Sequence, residues 1–175
     1  MKCLHLFFLS LVLLTGSLVA GPVEEFCKLF ASGAEVRVYR GFPERGYDKR
    51  LYEAAQKAGC ISLLGQVFYP ELKMLDEKSA DDWLAQATNA ASYYSAASSD
   101  AKFHADLGFW CVTTDHKNEA YCLVSFETSQ VHFWVAGKEI TVAMTLDLET
   151  LCHSVLQRVF EQEMIAEKLG SAQKP

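Results

Sequence analysis

The segment Phe103-His104-Ala105-Asp106 sets an imidazole and a carboxylate two residues apart. In an extended chain, residues i and i+2 share a side. His104 and Asp106 are thereby placed to share a proton or to offer two ligands to a metal, the chemistry of a metal-dependent or hydrolytic enzyme. Two ligands fall short of the usual metal set, and a hydrogen-bonded loop tie competes for the same pair. A second cluster is basic: Arg37, Arg40, Arg45, Lys49 and Arg50 stand against Glu44 and Asp48 in one stretch of chain. Guanidinium groups bind carboxylate or phosphate through paired hydrogen bonds, and Gly41 permits close backbone approach. Arg37, Arg40 and Arg45 are therefore the candidate ligands for a small anion, with pairing to Glu44, Asp48 and Glu53 as the competing use.

Five cysteines follow residue 20, namely Cys27, Cys60, Cys111, Cys122 and Cys152. An odd number leaves at least one thiol unpaired or joined to another molecule. A hairpin turning between His116 and Lys117 sets Cys111 opposite Cys122, and this spacing predicts a disulfide between them. No Cys-x-x-Cys pair occurs, which argues against structural zinc. Cys152 lies on an apolar helical stripe and fails the exposure a nucleophile needs, and Cys60, just after a helix stop, is read as a core residue rather than a nucleophile. His132 reads as an outward strand residue and His116 as turn chemistry. The sequence contains no glycine-rich phosphate loop, no Gly-x-Ser-x-Gly elbow and no His-Glu-x-x-His signature, and no cofactor is expected.

These residues must be positioned by the elements around them. Lys2, the apolar run Leu4 to Leu14, the break at Thr15-Gly16-Ser17 and the small residue Ala20 have the layout of a secretory signal peptide. The run is shorter than the roughly 20 residues of a spanning helix, so cleavage before Gly21 and a soluble, membrane-free product are expected, either secreted or periplasmic. The full chain has 175 residues and a net charge of −6; Lys2 is the only charged residue of the leader, so the remainder carries −7. That balance disfavours nucleic acid, whose binding depends on Lys and Arg. The remaining length suits one domain, and of the chain's twenty-one aromatic residues only Phe7 and Phe8 belong to the leader, leaving nineteen to supply a core.

Pro22 to Ala31 has helical spacing behind an N-terminal proline. Val36 and Val38 alternate with charged neighbours as in a half-buried strand. Asp48 to Ala58 is helical up to Gly59. Ile61 to Tyr69 reads as a strand, broken at Pro70 with a bend beyond it. Ser79 followed by Asp82 resembles a cap for a helix ending near Asn89, and the Ala- and Ser-rich stretch after it reads as a surface loop pinned by Tyr93 and Tyr94. Phe109 to Thr113, Tyr121 to Phe126, Val131 to Val135 and Ile140 to Thr145 form successive β-rich runs separated by short turns. A long amphipathic helix follows, opened by Asp147 and stopped at Gly170. The predicted architecture is a single α+β domain over residues 21–170, an antiparallel β-meander packed against N- and C-terminal helices, with 171–175 as a frayed tail.

Four segments, Val36-Arg37-Val38-Tyr39-Arg40-Gly41-Phe42-Pro43, Gln66-Val67-Phe68-Tyr69, Phe103-His104-Ala105-Asp106 and Cys122-Leu123-Val124-Ser125-Phe126, resemble a family of uncharacterised secreted bacterial proteins. In the family pattern Phe-His precedes Pro-Asp, and a Cys-Phe-x-Cys element occurs in the sheet. Here Ala105 takes the proline position, and Ser125 and Thr128 stand where those cysteines would be. The resemblance implies fold and export, brings no activity, and adds weight to Arg40 as a site residue. The expectation is an exported small globular protein, a non-catalytic binding domain meeting an envelope or extracellular protein through its sheet edge or loops. The alternatives are an enzyme using His104 and Asp106, and an anion-binding module around Arg37 to Arg50.

Overall fold

Pro22 opens helix α1 (Pro22–Phe30), where its missing N–H leaves no helical bond unmade. Val23, Phe26 and Phe30 fall on its buried side. The coordinates are a computed structural model that describes residues 21–42, 49–95 and 102–172; the expected leader and Arg45 lie outside the described residues. Strand β1 (Ala34–Gly41) and helix α2 (Lys49–Ala58) follow.

The apolar run from Ile61 is a hairpin rather than one strand, formed by β2 (Ile61–Leu63) and β3 (Gln66–Met74). Leu64 and Gly65 both take positive φ, 50° and 75°, as a two-residue hairpin turn requires. Nor does the chain bend away at Pro70. β3 continues to Met74 and absorbs the proline in a register shift, Tyr39 pairing with Leu72 while Gly41 already pairs with Phe68.

Helix α3 (Glu77–Ala87) is capped by Asp76, whose carboxylate accepts the Ser79 N–H at 2.9 Å; Ser79, the expected cap, sits inside the first turn. A 3₁₀ turn (Ala90–Ser92) leads into β4 (Tyr93–Ser95), a strand where composition predicts only loop. The expected meander follows as β5 (Leu107–Thr113), β6 (Glu119–Ser125), β7 (Gln130–Val135) and β8 (Lys138–Met144). Helix α4 (Leu146–Ala172) begins one residue ahead of Asp147, with the Thr145 hydroxyl 3.5 Å from the Leu148 N–H. It passes Gly170 and leaves helical geometry at Phe160 (φ −119°).

The result is an α+β domain with an eight-stranded antiparallel sheet in the order β2-β3-β1-β5-β6-β7-β8-β4. α1, α3 and α4 bury one face of it. Trp83 stacks on Phe109 at 4.1 Å between ring centres, and Phe26 and Tyr93 each approach Phe133 to 5.2 Å. The Tyr93 hydroxyl donates to the Ala87 carbonyl at 2.7 Å, and burial pushes that phenol well above its ordinary range.

The expected Cys111–Cys122 disulfide is absent. Asp115 accepts from the Thr113 hydroxyl at 2.7 Å and from the Lys117 N–H at 3.2 Å, and His116 adopts φ 56°. These interactions centre the turn on Asp115 and His116, which sets Cys111 opposite Ala120 and Cys122 opposite Phe109. The two thiols become diagonal neighbours, whose Cα atoms lie about 7–8 Å apart, outside the roughly 4.4–6.8 Å of a disulfide. All five cysteines of the described residues are free, and Cys60, expected in the core, is exposed because it stands on the connection between α2 and β2.

Alkylation of the native protein should therefore label exposed Cys60 ahead of buried Cys111, Cys122 and Cys152. Recovery of a linked Cys111–Cys122 peptide from a non-reducing digest would contradict this register. The turn also predicts an acid dependence. The Thr113 hydroxyl, followed by the Lys117 N–H, holds the Asp115 carboxyl at about 2 against an ordinary 3.8. The stability it contributes is complete above 3.8 and is lost as pH falls through about 2. Asp115→Asn should remove this part of the acid dependence in denaturation curves taken across that window.

Candidate functional site

Val36 and Val38 turn toward the helices, so Arg37 and Tyr39 turn to the opposite face of the sheet. Strand register carries this alternation across the molecule. Met74, Arg37, Trp110, Tyr121, Trp134 and Glu139 are successive cross-strand partners on β3, β1, β5, β6, β7 and β8. At ordinary strand spacing this row is about 24 Å long.

Its middle is aromatic. The Arg37 guanidinium, ion-paired with Glu35, lies 4.5 Å from the centre of the Trp110 ring. Trp110 and Tyr121 are nearly parallel at 6.1 Å, and Tyr121 meets Trp134 at 5.6 Å, tilted by 55°. The Trp110 indole N–H donates to Glu119 at 3.1 Å. Burial, and then the Glu119 charge, push the Tyr121 phenol above its ordinary range. All three rings are only partly buried, and Met74 at the end of the row is 63% exposed.

The neighbouring row on the same face is closed. Tyr39 and Leu123 pack with Phe68 and Ala105. Gly108 leaves room for the Phe68 ring, which would lie 2.9 Å from a Cβ at that position. The segment 102–106 covers this half, with the Phe103 ring 5.8 Å from that of His132. His132 is held through Nδ1 by the Thr141 hydroxyl at 2.8 Å and has Nε2 3.5 Å from a Glu139 oxygen.

Asp106 fixes the covering segment in place. Its carboxylate accepts the Phe126 N–H at 2.8 Å, its N–H donates to Val124, and its carbonyl accepts from Gly41. Gly41 is required by this approach: a Cβ there would run into the Ala105 carbonyl and lie 2.7 Å from the Asp106 Cα. The close approach that Gly41 permits is thus made by the protein's own backbone. Burial pushes the Asp106 carboxyl up, opposed by the Phe126 N–H and by His104 and His153. The His153 ring stacks on Phe126 at 3.7 Å. Among the described residues no group of three or more His, Cys, Asp or Glu side chains is arranged to hold a metal.

β1 separates the candidate arginines. Arg37 belongs to the aromatic row and is matched by Glu35. Arg40 pairs across the sheet with Leu107 on the helix-covered face, its guanidinium 4.0 Å from the centre of the Tyr69 ring. Near it on α4, Glu163 accepts from Lys73 at 2.7 Å. Lys49 lies 3.8 Å from Glu53.

The members of the row carry a signal one by one, although their alignment does not. Trp110, Tyr121 and Trp134 each sit between two core residues, at positions that a solvated sheet face usually gives to polar side chains. The chain matches no protein-family model, no curated protein and no solved structure.

The Asp106 carboxyl generates a second pH dependence, opposite in sign to that of Asp115. With its folded value raised, it contributes stability below the ordinary 3.8 that is lost as pH rises through the raised value. Asp106→Asn keeps an oxygen for the Phe126 N–H and should flatten that part of the stability profile, as measured by denaturation midpoints.

Proposed function

We propose that this is an exported, non-catalytic binding domain that meets an envelope or extracellular protein with the open half of the sheet face that no helix of the described residues covers. The row Trp110, Tyr121 and Trp134 is the observation that carries the proposal. Aromatic side chains offer large contact areas with few rotors to immobilise, which is why they dominate the energetics of protein interfaces. Three of them in lateral succession on an uncovered face form a contiguous apolar patch of the kind that marks interaction sites. Arg37, Glu119 and Glu139 supply its polar rim. The leader-like residues Lys2 to Ala20, and the resemblance of the Tyr39 to Pro43 and Phe103 to Asp106 segments to secreted proteins, support the export part of the reading.

Short cationic, neutral and anionic peptides and soluble oligosaccharides, titrated while the indole N–H resonances are followed, test the proposal. The chain has three tryptophans, and Trp83 is buried in the core, so it serves as an internal reference. At least one ligand class should shift Trp110 and Trp134 while Trp83 stays in place. Shifts confined to the helical side, or none with any class, would overturn the assignment of this face.

A further inference from the structure

We propose that the aromatic row takes an extended protein segment bearing Arg or Lys, with a cationic side chain laid over Tyr121 and Trp134 between Glu119 and Glu139; this rests on the binding role assigned to the row above. The first support is charge. Among the described residues, Glu35, Glu119 and Glu139 lie on the row or its flank against Arg37, which Glu35 already pairs, and the His132 ring, whose Nε2 is 3.5 Å from Glu139. The surplus is negative, in a chain whose net charge is −6, and such a field favours approach of a positive partner. Glu119 accepts the Trp110 N–H and keeps acceptor capacity for a second donor.

The second support is the protein's own use of the mode. Arg37 rests on Trp110 with a carboxylate beside it, an arrangement stabilised by the ring quadrupole. Among the described residues no cation lies over Tyr121 or Trp134, although each ring has a carboxylate near it, Glu119 for Tyr121 and the cross-strand partner Glu139 for Trp134. The third is spacing. Alternate side chains of an extended peptide are about 6.6 Å apart, and the rings of the row are separated by 6.1 and 5.6 Å. A segment lying along the row would bring alternate side chains over successive rings.

Three synthetic octapeptides of alternating Arg-Gly, Ser-Gly and Glu-Gly, titrated into the full protein with indole N–H detection, test this inference. The Arg-Gly peptide should shift Trp110 and Trp134, leave Trp83 in place, and weaken steeply as salt is raised. Trp134→Ala should weaken its binding on the order of tenfold. The near-isosteric Glu119→Gln and Glu139→Gln, which remove charge without removing packing, should each weaken it several-fold. Equal shifts from the Ser-Gly peptide, or stronger shifts from a soluble oligosaccharide, would overturn the cationic class while leaving the row as the binding surface. Binding of the Arg-Gly peptide that leaves both indoles unmoved, or that persists unchanged in all three variants, would overturn the cationic inference and count against the row itself.

Discussion

Side chains on a strand alternate between two faces, and α1, α3 and α4 bury only one of them. Every residue committed to the helical side therefore commits its neighbours to the other. Phe109 stacks on Trp83, which sends Trp110 outward. Ala120 and Cys122 are buried on either side of Tyr121. Phe133 packs against Phe26 and Tyr93, which sends Trp134 outward. The lateral alignment of the aromatic row is thus fixed by the core beneath it and by the hydrogen-bonded register between strands. A slip of one residue would exchange the two faces, trading phenylalanines for tryptophans against the helices. Core and surface are one constraint seen from opposite sides.

The helix-free face is divided by the segment 102–106. It closes the half containing Leu123 and Tyr39 because its C-terminal end finds polar partners: Asp106 satisfies β1 and β6, and Ala105 donates its N–H to the Gln66 side chain at 3.0 Å. Two glycines make this possible by omission. Gly41 lets the backbone cross closely, and Gly108 gives the Phe68 ring its place. His104 and Asp106 look like a chemical pair in the sequence, whereas here the carboxylate is occupied in tying a loop to a strand.

Much of the architecture was legible in the sequence because periodicity and turn residues agree along the second half of the chain. The runs from Phe109 to Thr145 are rich in β-branched and aromatic residues and are separated by short polar turns, and Gly137 marks the tight turn between β7 and β8. The β2–β3 hairpin was hidden because Leu64 and Gly65 lie inside an apolar run without the usual polar turn residues. Pairing of Cys111 with Cys122 depended on where a four-residue polar turn has its centre, and the hydrogen bonds of Asp115 decided that. Arg37 and Arg40 are neighbours in the chain, but their separation by three residues puts them on opposite faces of a strand. Trp110, Tyr121 and Trp134 were visible only as β-forming residues. Their alignment depends on two inter-strand registers, β5 with β6 and β6 with β7, which no single segment encodes.

The margin of the sheet at β3 has a further consequence. β2 covers only the beginning of that strand, pairing with Gln66, Val67 and Phe68. Beyond it Pro70 brings no N–H, and the ladder with β1 is dislocated around it. Such a border gives an incoming strand an interrupted set of donors, a feature by which sheet proteins resist stacking edge to edge. The molecule is thereby guarded on this side against edge-to-edge pairing with its own copies, at a margin two strands removed from Trp110 on β5.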